Sequence, residues 1–208
     1  MLLRRGIGGD QICPVCHSRP ESPMLAMTNT IASGKVANVI VEKPKWKPPT
    51  EGHFKINTDA AINGSLGRVR IGIIIRDSAG HVMASSSQSL RSILSPQSTK
   101  VVAILRGLQL TRDSGLWPCS IESDALSMVN LINLKVVRCA EIGLVIQDIL
   151  SLVDKLSICE VSFVQRDANM ATHWLAKFGL SSVSDLVWLE NVPPCMSPFV
   201  LGDCPDPL

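Results

Sequence analysis

The sequence predicts an α/β fold: a five-stranded mixed sheet, three antiparallel strands followed by two parallel ones, flanked by helices. Between His53 and Leu90 three extended segments follow one another with only short turns between them. From there to about residue 180, helical and extended patterns alternate, which is how helical crossovers return parallel strands to one sheet. Composition sets the scale, since 208 residues at 46% hydrophobic content suffice for one core of ordinary size plus appendages.

The elements follow in order. "FKINTDAA" alternates side chains as a strand does, and "RIGIIIRDSAGHVMASSS" reads as two strands joined at a Ser-Ala-Gly turn. "SPQSTKVVAILRGLQL" enters a helix through a polar residue and a proline, and Val101, Ile104, Leu105 and Leu108 recur on one face, so a helix is expected over residues 97–112. "GLWPCSIESD" is a short strand, and "ALSMVNLINL" a helix that begins directly after Asp124. "EIGLVIQDILSLVDKL" carries Ile142, Val145, Ile146, Ile149, Leu152 and Val153 on one helical stripe. "ICEVSFVQR" alternates again, and "ANMATHWLAKFGL" closes as a helix.

These signals place one domain at residues 51–180. Residues 1–50 read as an irregular lead-in ending in the proline pair of "KPKWKPP", and residues 181–208 as a proline-broken tail. The tail carries Leu186, Trp188 and Leu189, so it either docks on the domain or hangs free.

A net charge of +2 is too small to announce a nucleic-acid partner, because a phosphate-binding surface needs a local basic stripe that a total does not reveal. Seven scattered cysteines do not make a disulfide framework and fit a reducing compartment. The start "MLLRRGIGGDQ" lacks the apolar core of a secretory signal, and nowhere do eighteen apolar residues run together. The expectation is an intracellular protein of nucleus or cytoplasm, monomeric, with no membrane partner.

Two acids stand where ligand sites collect in such sheets. Asp59 is expected at the end of the first strand and Asp124 where the fourth strand turns into a helix. Together they suit Mg²⁺, which takes hard oxygen ligands from one or two carboxylates plus phosphate. Each also has a purely local reading: Asp59 caps a turn, or Asp124 caps the following helix. Against a metal stands Lys100 in the first turn of the long helix, within a run from Ser78 to Arg112 that contains no Asp or Glu.

The segments "WKPPTEGHFKINTDAA", "GIIIRDSAGHVMASSS", "AILRGLQLTRDSG", "IESDALSMVNLI" and "QRDANMATHWLAKFGL" resemble, in this order, the plant ribonuclease H-like domains, the reverse-transcriptase-like family of retroelement descent. The resemblance covers roughly residues 46–180, and "DLVWLENVPP" in the tail also looks like that family. It implies a ribonuclease H-like fold and an endonuclease that hydrolyses the RNA strand of RNA–DNA hybrids with two magnesium ions held by four acids. In such chemistry one ion activates water and the other stabilises the leaving oxygen. Recognition of the hybrid uses the 2′-OH groups of its shallow groove.

Carried over residue by residue, the first family acid falls on Asp59 and the third on Asp124, the implied metal ligands. The second, a Glu at the start of the long helix, falls on Lys100, and the fourth on His173. Asn63, Arg166 and Asn169 are the implied nucleic-acid-binding positions. Two of the four acidic positions are thus replaced, and exchanging a carboxylate for an ammonium swings the local charge by two units. One unit pair at 4 Å is worth about 4 kcal/mol at an effective dielectric of 20, less whatever Lys100 recovers by swinging its head to solvent. At most one loosely held Mg²⁺ is expected, and Asp167 is not expected to replace the lost ligand. Lys100 itself has three readings: it pairs with a phosphate, pairs with Asp59 and Asp124, or is simply solvated. His173 acts near the scissile phosphate, accepts a metal, or is simply a half-buried helix residue.

"CPVCHSRPES" places Cys13 and Cys16 at zinc-knuckle spacing, with His17 adjoining. It resembles the zinc-binding segment upstream of such domains in retroelement polymerases, but the completing His and Cys fall near Leu25 and Thr30, so zinc is not expected. Three functions follow from these residues: a nucleic-acid-binding ribonuclease H-like protein with impaired two-metal catalysis, a working magnesium-dependent hybrid ribonuclease, or a non-catalytic scaffold.

Overall fold

The extended segments at residues 54–90 fold as an antiparallel meander. In a computed structural model, which describes residues 26–30, 37–41, 43–91, 94–137, 142–156 and 158–203, the chain forms two units, residues 1–42 and 43–208. In the first, β1 (Ala26–Thr30) pairs antiparallel with β2 (Ala37–Val41). Cys13, Cys16 and His17 lie outside the described residues.

The second unit runs β3 (Phe54–Asn63), β4 (Arg68–Arg76), β5 (Val82–Leu90), α1 (Pro96–Ser114), β6 (Cys119–Ser123), α2 (Leu126–Asn133), α3 (Gly143–Lys155), β7 (Ile158–Phe163), a 3₁₀ turn (Arg166–Asn169), α4 (Met170–Gly179), β8 (Leu186–Leu189), a 3₁₀ turn (Pro194–Met196) and α5 (Ser197–Asp203). Its sheet order is β7-β6-β3-β4-β5-β8, with β6 parallel to β3 and to β7 and the other pairs antiparallel.

The sheet therefore has six strands rather than the expected five. The sixth, β8, comes from the region read as a proline-broken tail and pairs with Ala84–Ser87 of β5. Four residues are too few to show a periodicity, whereas β5 offers a row of backbone groups that a short strand satisfies. The lead-in contributes too, for Trp46 is fully buried in this unit.

Local chemistry explains the long helix. Ser95 accepts a hydrogen bond from the Ser98 amide as N-cap, Pro96 occupies the first turn, and Gly115 closes the C-terminus at φ 69°. The run "RIGIIIR" of β4 does not alternate because both faces are covered. Ile71, Ile73 and Ile75 pack with Val101, Ile104, Leu108, Ile146 and Ile149 beneath α1 and α3. Ile74 packs on the other side with Ala171, Leu175, Val192, Met196 and Val200 from α4 and the C-terminal segment.

Two glycines set how closely the helices approach. A Cβ on Gly72 of β4 would lie 2.6 Å from the Thr172 carbonyl oxygen and 2.7 Å from the Ala176 amide of α4. A Cβ on Gly107 of α1 would lie 2.7 Å from Thr58 Cγ2 of β3. Among the described residues, no helix is long and apolar enough to cross a membrane.

Candidate functional site

Strand alternation puts Asn57 and Asp59 on one face of β3, and Gly72 is the cross-strand partner of Asp59. The missing side chain at Gly72 lets α4 settle close to the sheet, and His173 Nδ1 reaches Asp59 Oδ2 at 2.8 Å. From the first turn of α1, Lys100 Nζ lies 3.2 Å from Asp59 Oδ1 and 2.5 Å from Asp124 Oδ1 at the end of β6. Of the three readings open for Lys100, the structure shows the one in which it pairs with both acids. Asp59 is 1% exposed and Lys100 20%.

Burial pushes the Asp59 carboxyl up, but the hydrogen bond from His173 and the charge of Lys100 outweigh it, so its pKa lies below the ordinary value. Oδ1 receives no aligned hydrogen bond, so its contact with Lys100 is one of charge at 3.2 Å. An ammonium attracts a carboxylate at such range whatever the donor angle.

Arg166 closes the cluster from the 3₁₀ turn ahead of α4. Its Nη2 lies 2.9 Å from His173 Nε2 and its Nη1 3.9 Å from Asp124 Oδ2, on a side chain 58% exposed. With Arg166 donating to Nε2, the imidazole is assigned Nδ1–H, which donates to Asp59. Asn169 is buried and donates from Nδ2 to the Thr58 carbonyl at 3.1 Å, tying the turn to β3. Asn63 stands apart: its Oδ1 accepts from Ser65 Oγ and the Leu66 amide in the turn after β3, about 13 Å along the strand from Asp59. Asp167 pairs with Lys43 at 3.7 Å. Among the described residues, no group of three or more His, Cys, Asp and Glu side chains is arranged to hold a metal.

Sequence reasoning missed a second polar cluster on the same face. Asn57, two residues before Asp59, donates from Nδ2 to Glu122 Oε2 at 2.9 Å and accepts from Trp46 Nε1 at 2.8 Å. Fully buried Arg76 donates to Asn57 Oδ1 and Asp203 Oδ2, both at 3.3 Å, and its guanidinium lies 3.7 Å from the centre of the Trp46 ring. Lys55 Nζ is held between Glu122 Oε1 and the Lys47 carbonyl, each at 2.7 Å. The period-two relation of Asn57 to Asp59 was the available signal, but nothing local pointed to Asp203 as the partner of Arg76.

Asp59 on β3, Lys100 in the first turn of α1, Asp124 just after β6 and His173 on α4 thus meet in one cluster. Over residues 57–179 the sequence matches the profile described as reverse transcriptase-like. The chain belongs to the reverse transcriptase-like family. Solved ribonucleases H share its fold. An RNase H1 from the halophilic archaeon Halobacterium salinarum superposes with a TM-score of 0.58 at 15% identity, covering 64% of this chain and 100% of that one. The N-terminal RNase H domain of a Mycobacterium tuberculosis protein gives 0.54 at 17%, covering 62% and 96%. LC11-RNase H1, solved in complex with an RNA/DNA hybrid, gives 0.51 at 19%, covering 59% and 92%. At such identities the likeness speaks for the RNase H fold of this reverse transcriptase-like chain. No curated protein matches the sequence.

Proposed function

We propose that this reverse transcriptase-like domain binds nucleic acid, an RNA–DNA hybrid or RNA, at the face around Asp59, Asp124 and Arg166, and that its two-metal hydrolysis is impaired. The observation that carries the second part is the Lys100 ammonium, 3.2 Å from Asp59 and 2.5 Å from Asp124. A divalent ion shared by these two carboxylates needs the same space and the same negative charge. The residues present do not fit a pair of magnesium ions: two acids remain, both engaged by Lys100, and His173 is engaged by Asp59 and Arg166. Magnesium enters only by displacing the ammonium, so at most one ion is held, and weakly. Binding rests on Arg166, whose exposed guanidinium suits a phosphate, and on the fold shared with LC11-RNase H1, which was solved with a hybrid.

The test is hybrid binding measured by fluorescence anisotropy beside cleavage of an end-labelled RNA strand in Mg²⁺ or Mn²⁺. Salt-dependent binding with negligible cutting is expected, and Lys100→Glu is expected to raise Mg²⁺-dependent cutting by about tenfold or more, the effect of roughly 1.4 kcal/mol. Rapid cutting by the unaltered chain, abolished in Asp59→Asn, would overturn the impaired reading. Absence of hybrid binding at low salt would overturn the binding reading.

A further inference from the structure

Beside the carboxylates, a cleft of about 380 Å³ opens between the segment that precedes β3 and the ends of β6 and β7. Lys45, Lys47 and Lys55 line it together with Glu122, Phe163 and Gln165. Lys45 and Lys47 are exposed and flank the buried Trp46. The prolines at 44, 48 and 49 keep this stretch extended, and Trp46, stacked against Arg76, anchors it to the sheet. Lys45 and Lys47 both line the cleft, and residues two apart in an extended chain lie about 7 Å from each other, on the order of the spacing between successive phosphates. Lys55, braced by Glu122 and the Lys47 carbonyl, forms the floor. At the rim stands Phe163, a β-strand aromatic left 42% exposed.

The turn from Gln165 to Ala168 forms the wall between this cleft and the catalytic-type cluster: Gln165 and Ala168 face the cleft, while Arg166 reaches His173 and Asp124. Among the residues that line the cleft, three lysines stand beside one carboxylate, Glu122. A lysine row beside one exposed aromatic is the chemistry that holds a single strand, with cations along the backbone and a ring under one base.

We propose that this cleft is a binding site for single-stranded nucleic acid, taking the unpaired extension of the strand whose duplex part lies at the Asp59–Asp124 face. The placement rests on the nucleic-acid reading above, and the test separates the two. Affinities of the whole chain are measured for a blunt RNA–DNA hybrid, the same hybrid with a single-stranded overhang, and the isolated single strand. Each is repeated with Lys45→Ala/Lys47→Ala and with Phe163→Leu, whose folding is checked by circular dichroism. The overhang is expected to tighten binding by about five- to tenfold, the scale of one stacked base. That gain is expected to be lost in both variants while blunt-hybrid binding is kept, and the double variant loses about two from the salt slope. An overhang that adds nothing, or variants that weaken blunt and overhang hybrids alike, would overturn the site while leaving hybrid binding intact. Lysine-dependent binding of the single strand with no hybrid binding would uphold the site and remove the hybrid reading; no binding of any probe would remove both.

Discussion

Gly72 stands directly across the β3–β4 ladder from Asp59, and its missing side chain is what allows α4 to carry His173 to within 2.8 Å of that carboxylate. The contact spans 114 residues of sequence. The site is therefore assembled by packing distance, and each of its charges depends on how near a helix lies to the sheet.

Gly72→Ala is expected to cost about 1–3 kcal/mol, the usual scale for overpacking, because the clashing atoms are α4 backbone rather than a flexible side chain. Urea denaturation measures the loss. An unchanged midpoint would show that α4 retreats freely.

Lys100→Met removes the cation that compensates Asp59, which is buried, and Asp124. A cost of about 1–3 kcal/mol is expected, below the range for a fully buried pair because Lys100 is 20% exposed. The Asp59 carboxyl then titrates at higher pH than in the unaltered chain, which carboxyl NMR resolves.

Trp46→Ala is expected to destabilise the domain by about 3–5 kcal/mol, since it deletes a buried ring, its hydrogen bond to Asn57 and the surface on which Arg76 stacks. Removing residues 1–50 is expected to do at least as much harm, and thermal melts of the two proteins make the comparison. If the shortened chain melts at the temperature of the full one, the domain begins after Trp46 in energetic terms.

Two buried aspartates shape the acid limb in opposite directions. Burial, opposed by Arg76, raises Asp203 from 3.8 to about 6. Its native form binds a proton that the unfolded form has released, so this group makes stability fall as pH rises from about 4 to 6. Asp59 is lowered, so its contribution is present above its unfolded pKa and is lost as pH falls through the folded one. Asp203→Asn is expected to flatten the slope between pH 4 and 6 and leave the loss at lower pH, as read by denaturation at stepped pH. An unaltered slope in that variant would assign the effect to another group.

Asp59, expected at the end of the first strand, lies inside β3; the five strands from β3 to β7, their order among the helices, and the positions of Lys100 in the first turn of α1 and Asp124 just after β6 were legible in the chain. Such features follow from residues within a few positions of one another: alternation at 54–61, the Ser95-Pro96 entry to α1, and the 3.6-residue stripe of α3. The sixth strand, the burial of Trp46, the pairing of Arg76 with Asp203, and the choice of Lys100 between solvent, phosphate and two carboxylates were not. These join groups far apart in the chain, and a local pattern carries no record of which distant surface a side chain meets. Lys100 reads alike as a solvated helix residue or a counter-ion until α1 is seated over β3 at Gly107.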